Sequence, residues 1–346
     1  MILAVVYIHG VGNEIFTKFN FTTPYNYIIL TNITKEGISR VAVPLFFLIS
    51  GFLFFSTQWN LSIYSEKLKR RIRSLLIPYL MFNIITMAII GIMQWVLPSL
   101  VSGNYKPVFD YDITNFLLAF WRMESTNIPY VAPLWFIRNL MVVMLFSPIV
   151  FYGIRKIGIC FPLAFILAWL IDVDNRYTFL IPGSTCIAFF SAGAWIRING
   201  RNMVEMLFPY RKISFILYPL LLIAGAVMPS EIVIGKLVDN VAILVGIVAT
   251  INLVSWGINL KGWHIPAYLT SATFFVFAAH VPYIGQLSKV IFSFIPSSVS
   301  PAILNALAWV MHLTIPLIFT GILVVIYHLL KNLFPRFTAV LVGDRG

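Results

Sequence analysis

His9 is the first residue of this chain with acid–base chemistry near neutral pH. An alcohol is a weak nucleophile until a base draws off its proton, and imidazole titrates in the right range to do that. The alternative for a histidine in an apolar run is a packing role, with the ring bonded to a neighbouring backbone carbonyl. A second group is the basic run Lys69-Arg70-Arg71-Ile72-Arg73. Guanidinium offers paired donors that match phosphate oxygens. Arg70 and Arg73 are spaced Arg-x-x-Arg, one helical turn apart on one expected face. The competing account is that such a loop only sets membrane orientation. Arg40 and Arg138 stand apart from that run, at or inside apolar segments. An ionised side chain at membrane depth costs at least about 2.5 kcal/mol, so such residues usually face a polar cavity. Arg40, near the end of its segment, could instead snorkel to the interface. Arg138, about a turn and a half into its segment, fits a cavity role better. Either guanidinium would suit an oxyanion or an anionic substrate group.

Other candidates are weaker. His280 is either a second polar group in a cavity or a hydrogen-bonded structural residue. Trp135 and Phe136 fit a binding-site wall or, more simply, a lipid or helix interface. Ser50 is not expected to be a nucleophile, because no base is placed beside it by local spacing. His264, His312 and His328 receive no role. No histidine pair has metal-ligand spacing, so no metal is implied. Cys160 and Cys186 lie in apolar segments and form no CxxC, which suggests buried thiols.

The elements that must carry these residues follow from composition. The chain has 346 residues, 60% hydrophobic and only 10% charged, with a mean hydropathy of +0.91. Soluble domains are about 45–50% apolar and about 25% charged. The solvent for most of this chain is therefore lipid, and no cleavable signal precedes the first apolar run. A net charge of +12 would suggest nucleic acid in a soluble protein. Here the cations lie in short gaps between apolar runs, and no nucleic-acid partner is expected.

Apolar runs fall at 1–12, 38–57, 75–97, 132–152, 157–171, 178–196, 213–229, 238–258, 268–292 and 302–330. They are continuous rather than alternating, so helices are expected and not barrel strands. The fold class is thus an all-α integral membrane protein, a bundle of about ten transmembrane helices forming one domain over 1–346. The odd-numbered gaps carry seven basic residues against nine acids. The even-numbered gaps and the C-terminal tail carry fifteen against three. That asymmetry places the second set, the C-terminus included, in the cytoplasm. A multi-pass protein of a bacterial-type cytoplasmic (inner) membrane is expected.

Six stretches occur in an order that resembles membrane acyltransferase family 3. These are Val5-Val6-Tyr7-Ile8-His9, Arg40-Val-Ala-Val-Pro44-Leu-Phe46-Phe47-Leu-Ile-Ser50-Gly51, the basic run leading to Pro78-Tyr79, Pro133-Leu134-Trp135-Phe136-Ile-Arg138, Phe189-Phe190-Ser-Ala-Gly193, and Phe274-Phe275-Val-Phe-Ala-Ala-His280. The resemblance spans nearly the whole chain. It implies transfer of an acyl group, most often acetyl, from an acyl-coenzyme A to a hydroxyl of a carbohydrate or lipid-linked glycan such as exopolysaccharide. It implies His9 as the base and Arg70, Arg71 and Arg73 as the donor's phosphate ligands, with Arg40, Arg138, Trp135 and His280 around the site. The resemblance departs at the start, where relatives carry an arginine-bearing stretch before the first histidine. A helix over 1–12 would rise only about 18 Å, against a bilayer core of about 30 Å. The first segment is therefore expected to be a stub, from a late start or a shortened copy. The rival readings are a flippase or transporter for a lipid-linked glycan, and a catalytically silent relative.

Overall fold

The computed structural model describes residues 1–98, 106–171, 182–228 and 232–344. Arg176, Arg345, Asp172, Asp174 and Glu231, which contribute to the charge asymmetry, lie outside them. Among the described residues every regular element is helical. In a lipid environment a helix satisfies its own backbone, which a lone strand cannot do.

We label the principal helices in chain order: α1 (Ile2–Ile8), α2 (Tyr25–Phe54), α3 (Leu61–Val96), α4 (Ala132–Leu145), α5 (Ser147–Ile157), α6 (Cys160–Ile171), α7 (Ser184–Ile198), α8 (Met203–Val227), α9 (Val233–Lys261), α10 (Ala267–Ala279), α11 (Tyr283–Ser293) and α12 (Pro301–Leu333). Five of them (α2, α3, α8, α9 and α12) are long and apolar enough to cross a membrane. The pairs α4–α5 and α10–α11 bend by 61° and 79°, and would raise the number to seven if each is one span. Pro282 lies in the second bend, where its missing N–H and its ring interrupt the helix. α6 and α7 are shorter apolar helices of 12 and 15 residues. α1 has seven residues, roughly 10 Å of helix. Each of the ten apolar runs contains helix among the described residues, but about ten is not a count of ten straight full-length crossings.

Lipid-facing and core-facing sides separate cleanly on α12. Ile318, Ile322, Val325 and Leu329 are exposed, while His312, Ile315, Phe319, Leu323 and Tyr327 are buried. Both sets repeat every three or four residues, the helical period. An apolar outer stripe is the side that a bilayer solvates.

α2 and α7 form the tightest contact of the bundle. A Cβ on Gly51 would stand 2.0 Å from the Phe190 carbonyl oxygen, and one on Gly193 would stand 1.9 Å from that of Leu48. The backbones touch because neither residue has a side chain. Phe54 and Phe55 then pack on Phe190, with ring centroids 6.0 and 5.9 Å apart. Two of the sequence stretches noted above thus meet each other in space.

Two helices contain a wider π turn. One covers Asn32–Ile38 in α2, and the other covers Ile72–Leu76 in α3. Such turns frequently mark functional positions. Here they carry Lys35 and follow Arg71, respectively.

Candidate active site

The bundle has two chemically different ends. At one end Lys67, Arg70, Arg71 and Arg73 gather near the termini. Lys67 donates to the Phe54 carbonyl, and Arg73 lies 3.6 Å from Asp344 in the last described turn. Arg197 stacks over Phe52 at the same end. Away from that end lie His9, His280 and Lys35.

The three arginines of the basic run have different surroundings. Arg70 pairs with Glu66 across one helical turn, and both side chains are mostly exposed. Arg73 is exposed beside Asp344. Arg71 instead turns inward and lines a cavity of about 280 Å³. Its walls include Ile2 of α1, Phe46 and Ser50 of α2, Phe136 of α4 and Phe277 of α10. Phe136 joins the walls of α2 and α10. Its ring lies 4.6 Å from Phe47, 5.9 Å from Phe46 and 5.9 Å from Phe277. The arrangement is an apolar slot with a cation at its mouth. Such a slot suits a ligand with a phosphate-bearing head and a narrow apolar arm.

The histidines lie beyond that aromatic floor. Ile2 and His9 bracket α1, and His280 follows Phe277 by one turn of α10. The His9 and His280 rings approach to 5.2 Å between centroids, tilted by 56°. His9 is half-buried, whereas His280 is fully buried. His280 Nδ1 lies 2.7 Å from the Phe277 carbonyl oxygen. A carbonyl can only accept, so Nδ1 carries the proton and a neutral ring presents its lone pair at Nε2. Among the described residues Nε2 has no hydrogen-bond partner. An unpaired buried acceptor is costly unless a substrate group or water meets it.

The remaining candidates take other positions. Arg138, 4% exposed, donates to the Trp121 carbonyl and to Asn139 Oδ1 at 3.3 Å, and its guanidinium lies over the Trp121 ring. It anchors the 106–131 connection, which Tyr79 and Asn83 of α3 also hold. Tyr79 donates to the Phe120 carbonyl, and Asn83 accepts from the Val131 N–H at 3.1 Å. Arg40 forms an ion pair with Glu36 on its own helix. Trp135 is half-buried, and its ring centroid lies 6.3 Å from that of Phe47. The structure thus brings His9 to His280, and gathers the three arginines at the far end. It ties Arg40 and Arg138 to other partners.

Several residues around His9 carry no local sequence signal. His312, Lys35 and Tyr27 meet the turn after His9 from as far as 301 positions away, and Thr34 holds the far side of the His312 ring. Among the described residues there is no group of three or more His, Cys, Asp or Glu able to hold a metal. A larger open groove of about 520 Å³ lies between α11 and the start of α12, but its lining is almost wholly apolar.

The fold and site define a helical membrane protein with a basic cavity mouth and a pair of imidazoles, one of them fully buried. Residues 1–331 match the family described as the acyltransferase domain, and the chain belongs to that family. It is a membrane acyltransferase. It is similar to the succinoglycan biosynthesis protein ExoH of Rhizobium meliloti, with 24% identity over 323 residues that cover 90% of this chain and 80% of the relative. No solved structure matches the chain.

Proposed function

We propose that this protein transfers an acyl group, acetyl in the first instance, from an acyl-coenzyme A to a hydroxyl of a carbohydrate or lipid-linked glycan. The observation that carries the reading is the apolar slot running from Arg71 to the Phe46, Phe136 and Phe277 rings, with His9 and His280 beyond it. The donor's phosphates sit at the basic mouth, nearest Arg71, with Arg70 and Arg73 flanking. Its pantetheine arm fills the slot and carries the thioester toward the histidines. The acceptor hydroxyl arrives from the opposite end. His9 takes its proton as the oxygen attacks the thioester carbonyl. The C–S bond then breaks, the ester forms, and the proton passes to the leaving thiolate. His280, held by the Phe277 carbonyl, keeps the paired ring in place and offers a second nitrogen for that proton. Arg138 and Arg40, on the acceptor side, serve to anchor the acceptor or to meet the oxyanion.

The likeness to a succinoglycan biosynthesis protein supports a polysaccharide acceptor. The basic end of the bundle then faces the cytoplasm of a bacterial-type inner membrane, where acyl-coenzyme A is made, and the membrane lipid surrounds the rest.

The test uses full-length protein in detergent, radiolabelled acetyl-coenzyme A, and lipid-linked glycan extracted from the source cells. Alkali-labile label on the glycan, matched by release of free coenzyme A thiol, is expected. His9→Ala is expected to lower the rate by about 10²–10⁴-fold, the usual contribution of a general base. Glycan recovered without ester-linked label would overturn the assignment.

A further inference from the structure

The turn that follows His9 is held from outside by side chains that have no part in the reaction as described. α1 ends at His9, and the chain turns through Gly10, Val11 and Gly12. Each carbonyl of this turn is satisfied by a distant side chain. Lys35 Nζ donates to the Gly10 oxygen at 2.8 Å. His312 Nδ1 donates to the Val11 oxygen at 2.7 Å. The Tyr27 hydroxyl stands 3.4 Å from both the Val11 and Gly12 oxygens. The Gly12 N–H donates to Glu14 Oε1 at 2.8 Å. The far nitrogen of His312 lies 2.6 Å from Thr34 Oγ1, so the ring bridges the turn to the π segment of α2.

Two arguments raise these contacts above ordinary packing. First, the turn lies past the last helical residue of α1, so its carbonyls have no partners in that helix and are placed by what they touch. Second, the holding groups are expensive. Lys35 brings an ammonium into a membrane helix, where a charge costs at least about 2.5 kcal/mol. Glu14 offsets it, because Glu14 Oε2 and Lys35 Nζ converge over Gly12, where a Cβ would lie 2.7 and 3.1 Å from them. The His312 ring is fully buried and has both nitrogens engaged. On the other side Pro316 Cγ would lie 2.9 Å from a Cβ on Gly10, and Tyr7 donates to the Leu313 carbonyl at 2.6 Å. The long helix α12 therefore serves as a rail on which the His9 end of α1 is seated.

We propose that Lys35 and His312 are positioning residues for His9. By fixing the Gly10–Gly12 turn they set the His9 ring against His280 and toward the slot. This rests on His9 being the base. The consequence is a split in the kinetics. Loosening the turn misplaces the base, and a displacement of about 1 Å can cost about 10²-fold in rate. The donor slot, lined by α1 only through Ile2 at its other end, keeps the walls that α2, α3, α4 and α10 supply.

The chemistry of the Val11 contact supplies a specific control. The carbonyl requires a donor at the Nδ1 position. Asparagine presents its amide N–H₂ near that position, whereas glutamine reaches the Nε2 position instead. The experiment measures acetyl transfer to the extracted glycan as acetyl-coenzyme A is varied, for His312→Leu, His312→Asn, His312→Gln and Lys35→Met, with His9→Ala alongside. His312→Leu and Lys35→Met are expected to lower kcat by about 10–100-fold, with KM for acetyl-coenzyme A within about twofold. His312→Asn is expected to recover to within about threefold of the unaltered protein, and His312→Gln is not. If His312→Leu and Lys35→Met keep full kcat while His9→Ala is dead, the positioning role is overturned and His9 stands as the base. If His9→Ala keeps full kcat, the base assignment falls and this inference falls with it. Should the leucine variant fail to fold, the asparagine and glutamine variants still decide: equal kcat in the two overturns the proposal.

Discussion

At the scale of single residues, the arginines separate by what surrounds them. Arg70 and Arg73 face solvent, and each has a carboxylate at hand in Glu66 or Asp344. Arg71 is half-buried at the mouth of the slot. A hydrogen bond to a charged group is worth about 1.5–3 kcal/mol, and exposed pairs are worth about 0–1 kcal/mol. Arg71→Ala is therefore expected to weaken acetyl-coenzyme A binding by about 10–100-fold, measured by calorimetry on detergent-solubilised protein. The double variant Arg70→Ala with Arg73→Ala should lose less than about fivefold. The reverse ranking would return the donor site to the Arg-x-x-Arg pair. Successive residues of a helix point about 100° apart, so Arg71 leaves the side that Arg70 and Arg73 share one turn apart.

At the scale of elements, the contact of α2 with α7 is what sets the slot. Phe46 and Ser50 line the cavity from the helix whose Leu48 and Gly51 meet α7. Any side chain at Gly51 or Gly193 must push one backbone off the other. Overpacking a core costs about 1–3 kcal/mol when side chains can yield. A carbonyl cannot yield in that way, so the cost belongs at or above the top of that range. Gly193→Val should lower the thermal midpoint in detergent and the yield of monodisperse protein. The same change at the neighbouring, partly exposed Ala192 should be mild. A Gly193→Val protein as stable as the unaltered one would mean that the helices are not held this close.

At the scale of the whole molecule, the proposed reaction needs its two substrates on opposite sides. The basic mouth and the turn after His9 are at opposite ends of the bundle. In a Cys160→Ser background, Ser65→Cys reports the basic end and Ser297→Cys the other. Both positions are exposed. A membrane-impermeant maleimide is expected to label Ser297→Cys in intact cells and Ser65→Cys only in inverted vesicles. The opposite pattern would invert the orientation and separate the basic mouth from cytoplasmic acyl-coenzyme A. Cys186 should stay unreacted in the folded protein, since it is fully buried with Sγ 3.5 Å from the Asn139 carbonyl oxygen.

The sequence by itself determined the solvent, the secondary structure and the family. Apolar runs of helical length admit little else in lipid, and the motifs around His9, Ser50-Gly51, Trp135 and Gly193 follow the chain in order. It also placed the basic residues in alternate gaps, because charge is local. The tertiary structure decided everything that depends on separation along the chain. His9 and His280 are brought together from distant parts of the sequence, and Lys35 and His312 converge on one turn from 25 and 301 positions away. It also decided which of three adjacent arginines faces the slot, and that two apolar runs are bent pairs rather than straight crossings. Periodicity reports which side of one helix is apolar. It carries no information on which polar groups from other helices will meet there, because that depends on how the helices pack.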